Sequence, residues 1–420
     1  MFYIKKIVGH KSRTYRFISI SNLLVSILLM VFSGLALNAG AAAVPPEIQV
    51  TKSEIIDFEF DQTHALLTFT DRNSKLWIAK VDPVTGGFKP SNGRGLLVDT
   101  GAAFMSDFGN GPEWLVSAAG TEIVYTKYLP NQPQSPATAR VAHAVSNNGI
   151  WIPNFIDDEV AYASPLGNSD KDDPIPRITY QSSLQSRDSH PFYWRELYVP
   201  ASEELVPNTQ GSVGSRRWVE GMHAVVFSST FTNDNGIAET QCFLYDVDTK
   251  GIEQLTFDDG EKGAIFMWKA PEYNNEYVFF SMVNRNEIRV YRKIAETEGT
   301  VPKWTAISSI LAPRAIPNIW SPEFFTHNGE SYIFFTLSPS PVILDMRIPT
   351  YLALTDLSGA RFRMLHNTKS LIRVVRSDPE LFVTENGPYI YYNSYIPQTD
   401  TSPAAQDGVW RVDPGLGPVR

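Results

Sequence analysis

One short β-type segment recurs seven times along this 420-residue chain, and that recurrence restricts the fold more than any other feature. The copies lie at 65–70, 123–126, 178–181, 225–228, 278–281, 333–336 and 390–393. Each is aliphatic or β-branched, reaches an aromatic residue, and continues into a small or amide polar residue. The aromatics are Phe69, Tyr125, Tyr180, Phe227, Phe280, Phe335 and Tyr392, at intervals of 47–57 residues. That spacing is too long for a coiled coil or a leucine-rich repeat and too regular for unrelated strands.

The same neighbours flank each copy. A strand precedes it, as at 113–117, 323–326 and 380–384, and another follows it, at 76–82, 139–145, 193–199, 243–248, 288–293, 352–357 and 409–413. A fourth closes most units, as at 96–99, 151–155, 253–257 and 304–308. Turn dipeptides such as Asn148-Gly149, Asn328-Gly329 and Asn386-Gly387 separate the strands. Four antiparallel strands repeated seven times predict an all-β, seven-bladed β-propeller. A four-stranded sheet with two apolar faces cannot bury both alone, whereas radial stacking buries both. A six-bladed ring and a pair of sandwiches are the rival arrangements. The seventh unit lacks a fourth strand, and residues 47–51 are placed to supply it, which would close the ring and protect an open edge.

The first 43 residues read as an address. Lys5, Lys6, Lys11, Arg13 and Arg16 precede an apolar run at 23–37, and small residues follow to Ala43. This is the pattern of a secretory signal peptide. The apolar run is short of the roughly 20 residues of a bilayer span. The expected organisation is therefore a signal peptide at 1–43 and one propeller domain at 44–420, with export to a periplasmic or extracellular location. Acidic residues number 45 against 36 Lys plus Arg, a formal net charge of −9, which argues against nonspecific nucleic-acid or anionic-lipid binding. The single cysteine, Cys242, rules out an intrachain disulfide framework.

The run Phe243-Leu244-Tyr245-Asp246-Val247-Asp248-Thr249-Lys250-Gly251, followed by Gln254-Leu255-Thr256, resembles the WD40-like (PD40-type) repeats of TolB-type propellers. The segments from Trp320-Ser321-Pro322-Glu323 to Phe335-Thr336 and from Pro379-Glu380-Leu381-Phe382 to Tyr391-Tyr392 resemble blades of arabinanase- and xylosidase-type propeller glycosidases. The first resemblance implies a noncatalytic protein-interaction scaffold. The second implies glycoside hydrolysis, although the blade count departs from the five of that group.

Connections between second and third strands are often long, as at 129–138, 184–192, 231–241, 339–349 and 397–406, and predict a walled basin on one rim. Three innermost strands open alike, with Pro112-Glu113, Pro322-Glu323 and Pro379-Glu380. Counting ten residues back from the second strand adds Asp57 in the first unit. Glu323 and Glu380 are the expected acid and partner of a hydrolase, with Asp57 and Glu113 tuning their charge, because glycoside hydrolysis needs one protonated and one ionised carboxyl. Clustered carboxylates also suit a hard cation such as calcium. Trp114 and Trp320, with Trp218 and Trp268, are candidates for stacking on sugar rings.

The loop at 187–196 offers Arg187 or Arg195 for an acidic sugar, and His190 with Tyr193 for proton abstraction in a polysaccharide lyase. Asp170 and Asp172 lie at alternate positions, like the start of a calcium loop, without the glycine and glutamate that complete one. The expected partner is a carbohydrate or similar polar ligand, or alternatively a protein, with no nucleic acid and no membrane span in the mature chain.

Overall fold

The computed structural model describes residues 47–91, 94–184, 191–232, 235–295, 301–366 and 373–420. The chain opens with β1 (Glu47–Thr51). Blade 1 follows as β2 (Asp57–Asp61), β3 (Leu66–Thr70) and β4 (Lys75–Val81), against whose outer edge two short strands pair, β5 (Phe88–Lys89) and β6 (Leu96–Thr100). A helical turn, α1 (Met105–Phe108), ends at Gly109 with φ 99° and leads into blade 2. That blade is β7 (Glu113–Ser117), β8 (Gly120–Tyr128), β9 (Ala139–Asn147) and β10 (Ile150–Phe155). Blade 3 is β11 (Tyr162–Gly167), β12 (Arg177–Ser182), β13 (Phe192–Glu196) and β14 (Glu204–Leu205). Blade 4 is β15 (Ser212–Trp218), β16 (Ala224–Thr232), β17 (Ala238–Asp246) and β18 (Ile252–Gln254). Blade 5 is β19 (Lys262–Ala270), β20 (Glu276–Val283), β21 (Glu287–Ile294) and β22 (Lys303–Leu311). Blade 6 is β23 (Asn318–His327), β24 (Glu330–Ser338), β25 (Tyr351–Asp356) and β26 (Arg363–Met364). Blade 7 is β27 (Val375–Thr384), β28 (Gly387–Ile396) and β29 (Ala405–Val412).

The innermost strands β2, β7, β11, β15, β19, β23 and β27 each contact the next, and β27 contacts β2, so the ring is closed. The missing fourth strand of blade 7 is β1, which pairs antiparallel with β29, from Glu47 opposite Val412 to Thr51 opposite Val409. The propeller is thus seven-bladed and closed by its N-terminal strand, as the repeat predicts.

Seven apolar clusters fill the seven gaps between neighbouring blades, one per gap. The repeated aromatics sit in them: Phe69, Tyr125, Tyr180, Phe227, Phe280, Phe335 and Tyr392 are all buried. This is the physical reason for the recurring motif. Each second strand must drive an aromatic side chain into the adjoining blade, and fully burying one is worth about 1.5–3 kcal/mol. Cys242 is buried in the gap between blades 4 and 5.

Some sequence-derived boundaries shift. Strands β23 and β27 begin five residues before Glu323 and Glu380, so these acids lie inside their strands and not at the start. The 231–241 connection is mostly strand, because β16 and β17 pair out to Thr232 opposite Ala238. The rim is walled by fewer long loops than loop counting implies.

Candidate functional site

The side chains at the centre are set by register. Take, in each blade, the innermost-strand residue opposite the position just before the repeated aromatic. Those residues are Glu59, Glu113, Leu166, Arg217, Glu323 and Glu380 for blades 1 to 4, 6 and 7. Blade 5 is offset by one, Phe279 facing blade 4 and Phe280 facing blade 6, so its residue in step is Phe266, opposite Phe280. They form one belt around the channel. Four contiguous blades (6, 7, 1 and 2) contribute glutamates, and blade 4, across the channel, contributes the arginine.

This belt corrects one expectation. Counting ten residues back selects Asp57 in blade 1, but the register equivalent of Glu113, Glu323 and Glu380 is Glu59, which faces Thr68. The β2–β3 hairpin is shorter, with 9 residues from Glu59 to Thr68 against 11 from Glu113 to Val124, Glu323 to Phe334 and Glu380 to Tyr391, so a fixed offset slips by two. Because strand side chains alternate, Asp57 still shares a face with Glu59 and sits one step nearer the rim that carries the second-to-third loops.

Asp378 is a sixth carboxyl that the sequence reading missed. In β27 the register skips between Ser377 and Glu380, so Asp378 and Pro379 form a bulge opposite Tyr392. Ser321-Pro322 and Ser164-Pro165 form the same bulge opposite Phe335 and Tyr180. Ser164, Ser321 and Asp378 all have positive φ, at 54°, 44° and 56°. The residue before proline is normally extended, so three equivalent left-handed residues mark a strained feature built into the repeat. A bulge re-aims a side chain in a way that alternation does not assign to either face.

Asp57, Glu59, Glu113, Glu323, Asp378 and Glu380 all line one cavity of about 230 Å³ at the loop-bearing mouth of the channel. Arg217, Trp320, Phe266, Asn110 and Thr336 complete much of its wall. The 339–350 connection leans in with Ile343 and Leu344, and the segment between blades 1 and 2 brings Met105 and Gly109. On the opposite side of the belt a second cavity of about 270 Å³ shares Glu59, Glu113, Arg217, Phe266 and Glu323, so the belt is the waist of a through-channel. Asp57 and Glu380 are buried, and the other four carboxyls are half-buried.

Crowding sets their protonation. Burial, and then the neighbouring Asp378, push Asp57 far above the usual carboxylate range, and Asp57 gives its proton to a hydrogen bond with Asp378. Burial and the neighbouring carboxylates likewise hold Glu59 and Glu380 far above that range. Glu113 and Glu323 are each raised to about 7 by burial, with Arg217 pulling the other way. Asp378 is also raised to about 7, again first by burial. At neutral pH the site therefore holds both protonated and ionised carboxyls, as acid–base chemistry requires.

The cations near the cavity are mostly committed elsewhere. Arg216 donates to Thr179 Oγ1, Gln181 Oε1 and the Ser164 carbonyl, and burial beside Arg217 lowers it to about 9. Arg376 bonds Glu47 and the Thr350 carbonyl. Arg217 lies over the Phe266 ring at 4.8 Å and donates to the Arg216 carbonyl at 2.9 Å.

The aromatic candidates separate. Trp320 lines the cavity, carries Arg285 over its ring at 5.3 Å, and leaves its buried indole N–H without a partner. Trp114 belongs to the gap between blades 1 and 2, its N–H donating to the Glu59 carbonyl at 2.9 Å. Trp268 stacks on Phe324 at 4.2 Å and bonds Ser331, so it is core. Trp218 lines the far cavity and bonds the Leu166 carbonyl at 3.1 Å.

The remaining candidates lie away from the cavity. Arg187 and His190 fall outside the described residues. Arg195 is buried in β13 and donates to the carbonyls of Glu196 and Leu197, at 3.3 and 3.1 Å, so it clamps its own backbone. Tyr193 packs against Tyr162 and Tyr180 in the gap between blades 2 and 3. Asp170 accepts from the Asp172 and Gly221 amides, both at 2.9 Å, which spends it on a turn and on a contact to blade 4. Asp172 is exposed. Among the described residues, no group of three or more His, Cys, Asp or Glu is arranged to hold a metal ion, so the calcium expectation finds no ligand set at 170–172 or in the channel.

No family model matches the chain, and no curated protein matches it. The TolB-type and arabinanase-type resemblances therefore stay at the level of single blades. Among solved structures the chain is similar to the β-propeller domain of Cps50 (Swd1) from Myceliophteria thermophila, with a TM-score of 0.54, 8% identity, and coverage of 88% of this chain and 99% of that one. At that identity the likeness concerns architecture alone, and it agrees with the ring of blades: this chain is a β-propeller.

Proposed function

We propose that this is an exported propeller that recognises a glycan at the loop-bearing mouth of its channel. The observation that carries the reading is the convergence, in one cavity, of six carboxyls, the guanidiniums of Arg217 and Arg376, and the unpartnered indole N–H of Trp320. A polyhydroxyl ligand supplies donors to ionised carboxylates and acceptors to protonated ones, which is what a mixed set of acids demands. Ile343 and Leu344 supply an apolar edge for the C–H face of a sugar ring. Export rests on the basic, apolar and small-residue succession of the first 43 residues.

Hydrolysis is the catalytic form of the same reading. It is favoured by Glu113 and Glu323, both raised to about 7 beside neighbours held higher still. In that form Glu323 or Glu380 protonates the leaving oxygen, and an ionised neighbour attacks the anomeric carbon or activates water.

The test is calorimetric titration of the mature protein with a panel of oligosaccharides, followed by assays for new reducing ends and for unsaturated products. Binding lost in Glu323→Gln and Trp320→Phe supports the site, and reducing ends lost in Glu323→Gln support hydrolysis. Absence of binding across the panel removes the glycan reading. Fractionation with N-terminal sequencing tests export, and an intact Met1 on the located protein removes cleavage.

A further inference from the structure

Resting on the reading of this cavity as a glycan site, we propose that its ligand is a sugar bearing a free amino group. The ammonium sits against the carboxyl arc of blades 6, 7, 1 and 2, and the hydroxyls engage Trp320 Nε1 and Thr336 Oγ1.

The charge pattern points to a cation. Six carboxyls share the cavity with two guanidiniums, Arg217, which projects from the far side, and Arg376, whose charge is taken up by Glu47. The nearby Arg216 and Arg376 are held by backbone and side-chain acceptors away from the arc. A bound metal ion needs several ligands converging at fixed distances, and no such group exists among the described residues. An ammonium has three rotatable donors and no fixed coordination shell, so it suits carboxyls spread along an arc.

A second, independent observation says that the ligand also carries oxygens. Trp320 is 7% exposed and its Nε1–H has no acceptor, while Thr336 is 3% exposed and its Oγ1 has no partner. Both residues line the same cavity. A buried indole N–H without an acceptor is costly, and it is satisfied by a hydroxyl or ring oxygen, never by a cation. A donor-poor acidic wall and an acceptor-poor Trp–Thr wall therefore face one space. The volume of about 230 Å³ lies below the range of about 300–1,000 Å³ for drug-sized ligands. It commits the cavity to one sugar unit, with the rest of the glycan leaving over the rim.

The raised carboxyls give a readout that simple packing does not. An ammonium stabilises their ionised forms, so binding at pH 7 should release protons.

The experiment is calorimetry at pH 7, in buffers of different ionisation enthalpy, with three oligosaccharides of equal length: a glucosamine oligomer, its N-acetylated form, and a neutral glucose oligomer. The expected result is at least tenfold tighter binding of the glucosamine oligomer with net proton release. Glu113→Gln and Glu323→Gln should remove that preference while melting no lower than the parent at pH 7, and Trp320→Phe should weaken all three sugars. Equal or tighter binding of the acetylated or neutral sugar overturns the amine assignment and leaves the glycan reading standing. Failure of all three sugars, with a lysine oligomer binding instead, overturns both.

Discussion

Arg376 holds Glu47 through two hydrogen bonds, Nε to Oε1 at 2.6 Å and Nη2 to Oε2 at 2.8 Å. The two residues are 329 positions apart in sequence, on the innermost and outermost strands of one blade. Tyr392 adds its hydroxyl to the same carboxylate, and Arg376 also bonds the Thr350 carbonyl at 2.8 Å. The ion pair clasps the ring shut directly behind the wall of the candidate site.

Breaking that clasp should be costly. Arg376 is 5% exposed, so Glu47→Ala leaves a buried guanidinium without its carboxylate. The expected loss is about 3 kcal/mol, the low end for removing one partner of a buried pair, since Glu47 keeps some exposure. Urea unfolding of Glu47→Ala and Glu47→Gln measures it, and Gln should recover part of the loss by keeping one bond to Arg376. Equal stability of all three proteins would contradict the clasp.

The same strand depends on one glycine. Gly408 has φ 86°, and a Cβ there would lie 2.0 Å from the Thr51 carbonyl oxygen. Gly408→Ala should therefore both strain the backbone and push β1 off β29, lowering stability by more than the about 1 kcal/mol of a simple glycine effect. Hydrogen exchange should show faster exchange concentrated in β1 and β29.

The channel acids should make the fold less stable as pH rises. Glu113, Glu323 and Asp378 have folded pKa values raised to about 7 from 4.5, 4.5 and 3.8, each first by burial. A carboxyl raised on folding is fully stabilising below its unfolded pKa, and the contribution is lost as pH climbs through the folded value. The melting temperature should fall between about pH 4.5 and pH 8. Glu323→Gln should flatten that fall and add on the order of 1–3 kcal/mol at pH 8, one pKa unit being 1.36 kcal/mol. A flat profile in the parent protein would count against the crowding.

His366 acts at the acid end. It is buried, stacks on Tyr351 at 5.4 Å, and neither ring nitrogen has a partner. Burial, and then Arg376, lower it to about 3. The unfolded chain binds a proton here below about pH 6.5 and the folded chain does not, so this stability is lost as pH falls from there toward 3. His366→Phe keeps the ring and removes both polar atoms. It should raise the melting temperature at pH 5 more than at pH 8, as measured by calorimetric scans.

Trp320→Phe separates cost from use. Removing an unsatisfied buried N–H should stabilise the free protein by about 1 kcal/mol, since leaving such a donor unpaired costs about 1–3 kcal/mol. Thermal unfolding without ligand should show the gain, and loss of affinity in the titrations described above should accompany it.

Much of this molecule is legible in its sequence because the repeat is a packing signal. Phe227 and Phe335 recur at equivalent positions since each fills the gap to the preceding blade, and the pattern is visible without structure. Glu113, Glu323 and Glu380 are found the same way, being in step with those aromatics. What stays hidden is whatever breaks the step. Glu59 is displaced by a hairpin two residues shorter than the others, although alternation from Asp57 offers a clue. Asp378 lies on a bulge and had no clue at all. Arg217 pairs with Val226, one position before Phe227, so register would have found it. Being the wrong charge for a set of acids, it drew no notice. Tyr193 and Arg195 read as functional from composition alone, and composition cannot tell a rim from a gap between blades.

The pairing of β1 with β29 ties the first of the described strands to the last. Six blades can assemble as the polypeptide emerges, but the seventh waits, edge open, until residue 412 is made and the early segment returns to it. Loss of even the final hairpin leaves both the clasp and the acid arc without blade 7, so a truncated chain should be an open fan with no site, and prone to recruiting strands from its neighbours.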